Sequence, residues 1–123
     1  MRVVDTSAWI EWLVAGPKFY DISRELPSEK NWVVPTIVQM ELRKWALREL
    51  GAAKSREVIA FSNQCQVVPL DTMIAIKAAR ISKDKKLAVA DAIIYTTALT
   101  LNADLLTCDS HFKDLTGVVY FEK

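Results

Sequence analysis

The sequence predicts an α/β fold on a largely parallel sheet, and three observations carry that prediction. Five short apolar runs alternate with longer stretches of helical spacing. The runs are continuously apolar rather than alternating with polar residues, as expected of strands covered by helices on both faces. The chain has 123 residues, 51% hydrophobic and 25% charged, with only three glycines and four prolines. That length suits one compact domain spanning 1–123, and the composition leaves no stretch for a long flexible linker.

The first strand is read over Arg2 to Asp5. A helix follows from about Ser7 to Val14, ended by the breaker Gly16-Pro17. A second helix covers about Lys18 to Leu26 and stops at Pro27. The second strand is Trp32 to Val34. Pro35-Thr36 opens a helix reaching Leu50, where Gly51 is a natural terminator. A helix over Ala53 to Asn63 precedes the third strand, Gln66 to Val68. Asp71 is placed to cap a helix running to about Ser82, and Lys83-Asp84-Lys85-Lys86 reads as a solvated turn. A strongly apolar helix covers Ala88 to Leu101. The fourth strand is Asp104 to Cys108, a short turn or helix occupies Ser110 to Lys113, and the fifth strand is Val118 to Phe121.

Cys65 and Cys108 are too few for a disulfide framework, and no Cys-x-x-Cys zinc pattern exists. They read as reduced thiols, which places the protein in the cytoplasm. Asp5 and Glu11 interrupt the N-terminal apolar run, so it does not read as a signal peptide. No uncharged apolar stretch is long enough to span a membrane.

Four acids lie in stretches that otherwise read as core. They are Asp5 after Val3-Val4, Glu41 after Ile37-Val38-Gln39-Met40, Asp91 within Leu87-Ala88-Val89-Ala90-Asp91-Ala92-Ile93-Ile94, and Asp109 after Leu105-Leu106-Thr107-Cys108. Burying several carboxylates together is costly unless a cation sits among them, and a divalent metal is the simplest candidate. Each acid has an ordinary alternative. Asp5 and Asp109 sit where helix or turn caps belong, as Asp71 does. Glu41 has Lys44 at i+3 for a surface pair. Asp91 is the hardest to explain away, because its helical neighbours Leu87, Ala88, Ile94, Tyr95 and Ala98 are almost all apolar. In parallel sheets ligands bind beyond the carboxyl ends of strands, where Asp5 and Asp109 fall.

Taken together and in order, these motifs resemble the PIN-domain nucleases, in particular the small bacterial and archaeal toxins of VapC type. Val3-Val4-Asp5-Thr6-Ser7-Ala8 is similar to the opening strand and first acid of that family. Val34-Pro35-Thr36-Ile37-Val38-Gln39-Met40-Glu41-Leu42 is similar to its second, helix-borne acid. Leu87 to Ala98 is similar to the third, and Asn102-Ala103-Asp104-Leu105-Leu106-Thr107-Cys108-Asp109-Ser110-His111-Phe112 to the fourth. The resemblance covers nearly the whole chain. It implies a three-layer α/β/α sandwich around a five-stranded parallel sheet, a Mg²⁺ or Mn²⁺ site, ribonuclease activity and a homodimer. It also implies a cognate antitoxin whose C-terminal segment occupies the active-site groove.

On this reading the reaction is hydrolysis of an RNA phosphodiester. Asp5 and Asp91 are expected to touch the metal. Asp109 and Glu41 would bind a second ion or hold waters, and the hydroxyls of Thr6, Ser7 and Thr107 would fix carboxylate rotamers. Oxygen ligation suits Mg²⁺ or Mn²⁺. His111 is the sole histidine, which excludes a two-histidine ribonuclease, and it reads as a surface or turn residue.

Net charge is only +1, so RNA binding falls to local groups, Arg43, Lys44 and Arg48, and Lys83, Lys85 and Lys86. The same residues also read as solvated helix faces. Trp9, Trp12 and Trp45 are either core or the lining of an antitoxin groove between the first and third helices. Two other magnesium-dependent α/β classes fit poorly. Ser7 stands where a phosphoaspartate phosphatase carries its second aspartate, and a phosphoreceiver would pair acids at the first strand end. The rival from another class is a catalytically silent scaffold of the same fold, binding RNA or a protein.

Overall fold

The computed structural model describes all 123 residues. The chain forms β1 (Arg2–Val4), α1 (Thr6–Leu13), α2 (Phe19–Glu25), β2 (Trp32–Pro35), α3 (Thr36–Glu49), α4 (Ala52–Ser62), β3 (Gln66–Val68), α5 (Thr72–Lys85), α6 (Val89–Thr100), β4 (Asp104–Thr107) and β5 (Val118–Tyr120). All neighbouring strands are parallel, in the order β3-β2-β1-β4-β5. The chain steps outward from β1 to β3 and then returns across the sheet to β4. With right-handed crossovers, that reversal puts α1 to α4 on one face and α5 and α6 on the other. The result is the expected three-layer sandwich.

The valine pairs of β1 and β2 and the leucine pair of β4 are fully buried, since each strand has a neighbour on both sides and helices above and below. The edge strands β3 and β5 are only half-buried. Seven consecutive residues of α6, Ala92 to Ala98, are buried, so this helix lies against β1 and β4 rather than on the surface. Trp9 anchors an aromatic cluster with Trp32, Trp12 and Phe61, at ring separations of 4.7, 6.1 and 5.9 Å. Each such ring removes about 150–250 Å² from water when buried. At the amino end of the sheet Arg2 clamps the two central strands. Its guanidinium donates to both oxygens of Asp104, at 2.7 and 2.9 Å, and to the Glu25 carbonyl at 2.8 Å.

Glu11 is buried in α1 and accepts the Lys18 amide at 2.7 Å, which ties α1 to the start of α2. Gly16 makes this possible. A Cβ at that position would collide with the Glu11 carboxylate.

The run Lys83 to Lys86 differs from the sequence expectation. Helix α5 continues through Lys85 and ends at Lys86, which adopts the left-handed conformation at φ 56°. Lysines in a last helical turn favour the helix, because their charge faces the negative end of the backbone dipole. A charged run therefore did not mean a turn. Cys65 and Cys108 are both buried and unpaired. No helix is long and apolar enough to cross a membrane.

Candidate active site

The β1 and β4 carboxyl ends flank the point where strand order reverses, and the candidate site is built there. Asp5 leaves β1 with its amide bonded to the Leu106 carbonyl at 2.9 Å. It occupies the N-cap position of α1, yet its carboxylate makes no capping bond. Asp71, by contrast, caps α5 by accepting the Ile74 amide at 2.9 Å. Asp5 is thus freed from the ordinary duty of an aspartate at a helix start.

Two hydroxyls hold it instead. Ser7 Oγ donates to Asp5 Oδ2 at 2.7 Å, and Thr107 Oγ1 donates to the same oxygen at 2.8 Å. Each hydroxyl in turn accepts a backbone amide, Ser7 from Cys108 at 3.0 Å and Thr107 from Asp109 at 2.9 Å. Both hydroxyl protons are thereby committed to Oδ2, and Oδ1 is left without a hydrogen-bond donor. Asp5 is 3% exposed. Burial raises its pKa, the two hydroxyls lower it, and the nearby Asp109 and Glu41 carboxylates raise it again, with a net upward result.

Asp91 sits in the first turn of α6 with its side chain 18% exposed. Burial pushes its carboxyl up to about 6, with Asp109, Asp5 and Glu41 adding to the rise and His111 opposing it. Asp109 follows β4. Its Oδ1 accepts the His111 amide at 2.9 Å, so it does cap the turn Ser110–Phe112, the ordinary role weighed above. It is also beside Asp91, because one ligand atom from each of Asp91, Asp109 and His111 lie within 4.8 Å of one another. Glu41 comes from the second turn of α3 and forms no pair with Lys44. Its Oε1 accepts the Thr6 hydroxyl at 2.7 Å, leaving Oε2 open.

The fold therefore brings together all four acids and the three hydroxyls singled out from the sequence. No lysine or arginine ion-pairs with any of the four. The one basic side chain in direct contact with them is His111, whose Nδ1 lies 3.0 Å from Asp109 and 3.5 Å from Asp91. The sequence reading put His111 on the surface, where its ring is 71% exposed, but did not anticipate its contact with both acids. The available signal was its spacing, two residues after the last acid. One buried and three half-buried carboxylates with no lysine or arginine partner present a mainly oxygen donor set, which suits a hard divalent cation.

The tryptophans divide differently from expectation. Trp9 is fully buried in the aromatic cluster. Its ring nonetheless lines, with Trp12, Leu13, Leu50, Val58 and Phe61, a groove of about 390 Å³ between α1 and α4, edged by Lys54 and Glu57. Trp45 is not in that groove. It borders a separate pocket beside Glu41. One groove shared by Trp9, Trp12 and Trp45 between α1 and α3 does not exist, because α1 turns its aromatic face toward α4. Arg43, Lys44, Arg48, Lys83, Lys85 and Lys86 are all exposed.

A family model of the PIN domain matches residues 2–118. The chain belongs to the PIN-domain family. Solved structures share the fold of this PIN domain over nearly the whole length. A toxin–antitoxin complex from Klebsiella pneumoniae aligns at TM-score 0.83 with 20% identity, covering 97% of this chain and 96% of that one. Mycobacterium tuberculosis VapC20, described as a toxin that cleaves the sarcin–ricin loop, aligns at 0.78 with 17% identity, covering 96% and 97%. DNA-bound VapBC from Salmonella typhimurium aligns at 0.76 with 20% identity, covering 98% and 96%. No curated protein matches the sequence of this PIN domain.

Proposed function

We propose that the protein is a divalent-metal-dependent endoribonuclease and the toxin of a type II toxin–antitoxin pair in the cytoplasm. The observation that carries this reading is the convergence of Asp5, Glu41, Asp91 and Asp109 without an internal lysine or arginine. A silent scaffold would bear the same desolvation and repulsion with nothing to offset them.

Asp5 Oδ1 and the Asp91 carboxylate would hold a Mg²⁺ or Mn²⁺ ion, with Asp109 and Glu41 contributing to a second ion or to its waters. When bound, the ion supplies neutralisation of the phosphate charge and acidifies a water. Glu41 Oε2 is positioned by the Thr6 bond on Oε1 to accept a proton from an attacking water. Ser7 and Thr107 fix the Asp5 rotamer, so the carboxylate does not reorganise as the phosphate arrives. Burial of Asp5, with Asp91 half-buried beside it, keeps water from part of the site, which strengthens charge interactions there.

RNA is the substrate in this reading, supported by the exposed cations of α3 and of the α5 end. Partner binding follows from two apolar surfaces. The α1–α4 groove suits the amphipathic helix of an antitoxin, supported by the toxin–antitoxin assemblies among proteins of the same fold. A second apolar face on α5 and α6 exposes Met73, Ile76 and Val89, the last two by 69% and 73%. Alanines 75, 78, 79 and 92 floor a shallow groove beside it. We assign this face to the homodimer.

The test is cleavage of total RNA by the purified protein with added Mg²⁺ or Mn²⁺, followed by sequencing of the new ends. Asp5→Asn and EDTA should each abolish cleavage. Metal-independent cleavage, or full activity of Asp5→Asn, would refute the proposal.

A further inference from the structure

Helix α3 carries more than Glu41 on the face that meets the site. Lys44, Trp45 and Arg48 follow at i+3, i+4 and i+7, so they form one stripe extending roughly 10 Å from the acid along the helix. With Met40 and with Ile10 of α1 they enclose an open pocket of about 300 Å³, and Glu41 forms one of its walls. Trp45 is the one tryptophan outside the aromatic cluster, since none of the ring pairs involves it. It is half-buried, and the core does not use its ring as a stacking partner. Lys44 makes no ion pair. Arg48 makes one exposed pair with Glu49 at 2.9 Å, the kind water largely screens.

An aromatic wall flanked by two cations, opening directly onto a phosphodiesterase acid, has the composition of a single-stranded nucleic-acid subsite. We propose that this pocket holds the unpaired nucleotide next to the scissile phosphate, with its base against Trp45 and its phosphate between Lys44 and Arg48. Every base has a π face, so such a subsite selects for single-stranded or looped RNA rather than for one sequence. This inference rests on the ribonuclease reading.

The probe is a single-stranded oligoribonucleotide spanning a mapped cleavage site, together with its duplex and a version abasic at the adjoining nucleotide. Trp45→Ala should raise KM about 5- to 100-fold with kcat little changed, and Trp45→Phe should restore most of the loss. The abasic substrate should show no further penalty on Trp45→Ala. Lys44→Gln with Arg48→Gln should reduce the slope of log affinity against log salt by about 1.4 for a single strand. Circular dichroism establishes that each variant is folded. If the wild type cleaves the probe and Trp45→Ala has unchanged KM, the subsite is wrong and the nuclease reading stands. If Trp45→Ala and Trp45→Phe are equally impaired, Trp45 acts by shape rather than stacking, which also overturns the proposal. If the wild type cleaves no RNA at all, the ribonuclease reading falls and the subsite with it.

Discussion

Asparagine at position 91 keeps the size of the side chain and removes its charge, so in metal-free protein Asp91→Asn should make the fold more stable. The Asp91 carboxyl titrates near 6 in the folded chain, against 3.8 for an ordinary aspartate, chiefly because it is buried and secondly because Asp109 and Asp5 are near. It holds its proton more tightly folded than unfolded. Its contribution is therefore most favourable below the unfolded value and is lost as pH rises through about 6. Because the carboxyl is still partly open to water, which screens it, the shift corresponds to about 1–2 kcal/mol at pH 8 and about half that at pH 5. Urea denaturation in EDTA at both pH values measures it directly. Asp91→Asn should exceed the wild type by about 1–2 kcal/mol at pH 8, with the gap narrowing on acidification. Saturating Mn²⁺ should then stabilise the wild type and leave the variant nearly unchanged, as ligand linkage requires. A variant less stable than wild type at pH 8, or a difference independent of pH, would show that Asp91 is not a charge held at a cost for a cation.

Thr107→Val removes one of the two donors to Asp5 and the acceptor of the Asp109 amide. It should cost about 1.5–3 kcal/mol by denaturation and lower kcat at least about tenfold, with unchanged stability counting against the clamp. Gly16→Ala drives a methyl into the Glu11 carboxylate. It should lower the melting temperature, and pairing it with Glu11→Ala should recover part of the loss. Ile76→Asp places a charge on the proposed homodimer face, so sedimentation should shift toward monomer while the circular dichroism spectrum is retained. A dimer undisturbed by it would move the interface elsewhere.

The fold was legible because short, continuously apolar runs alternated cleanly with longer stretches of helical spacing. Val3-Val4, Val33-Val34 and Leu105-Leu106 read as strands buried on both faces and are fully buried, and Asp71 caps the helix it was expected to cap. The four acids stood out because a carboxylate within an apolar run demands an explanation. What the sequence could not show depends on which surfaces meet. Nothing local distinguishes Trp9, packed on Trp32, from Trp45, left beside Glu41, since both have helical spacing. His111 looked like a turn residue because its nearness to Asp91 exists only once the first turn of α6 reaches the end of β4. The α5 end was misjudged on charge alone, where no glycine or proline forced a stop before Lys86.

β1 takes its partners from opposite ends of the chain's history, β2 soon after it and β4 about a hundred residues later. A polypeptide emerging from the ribosome can hold Asp5 and Glu41 early, but Thr107 and Asp109 come only with its last stretch. Until then Asp5 lacks one of its two hydroxyl donors and one of its three acidic companions. The four-acid cluster is therefore complete only when the final strands have joined the sheet.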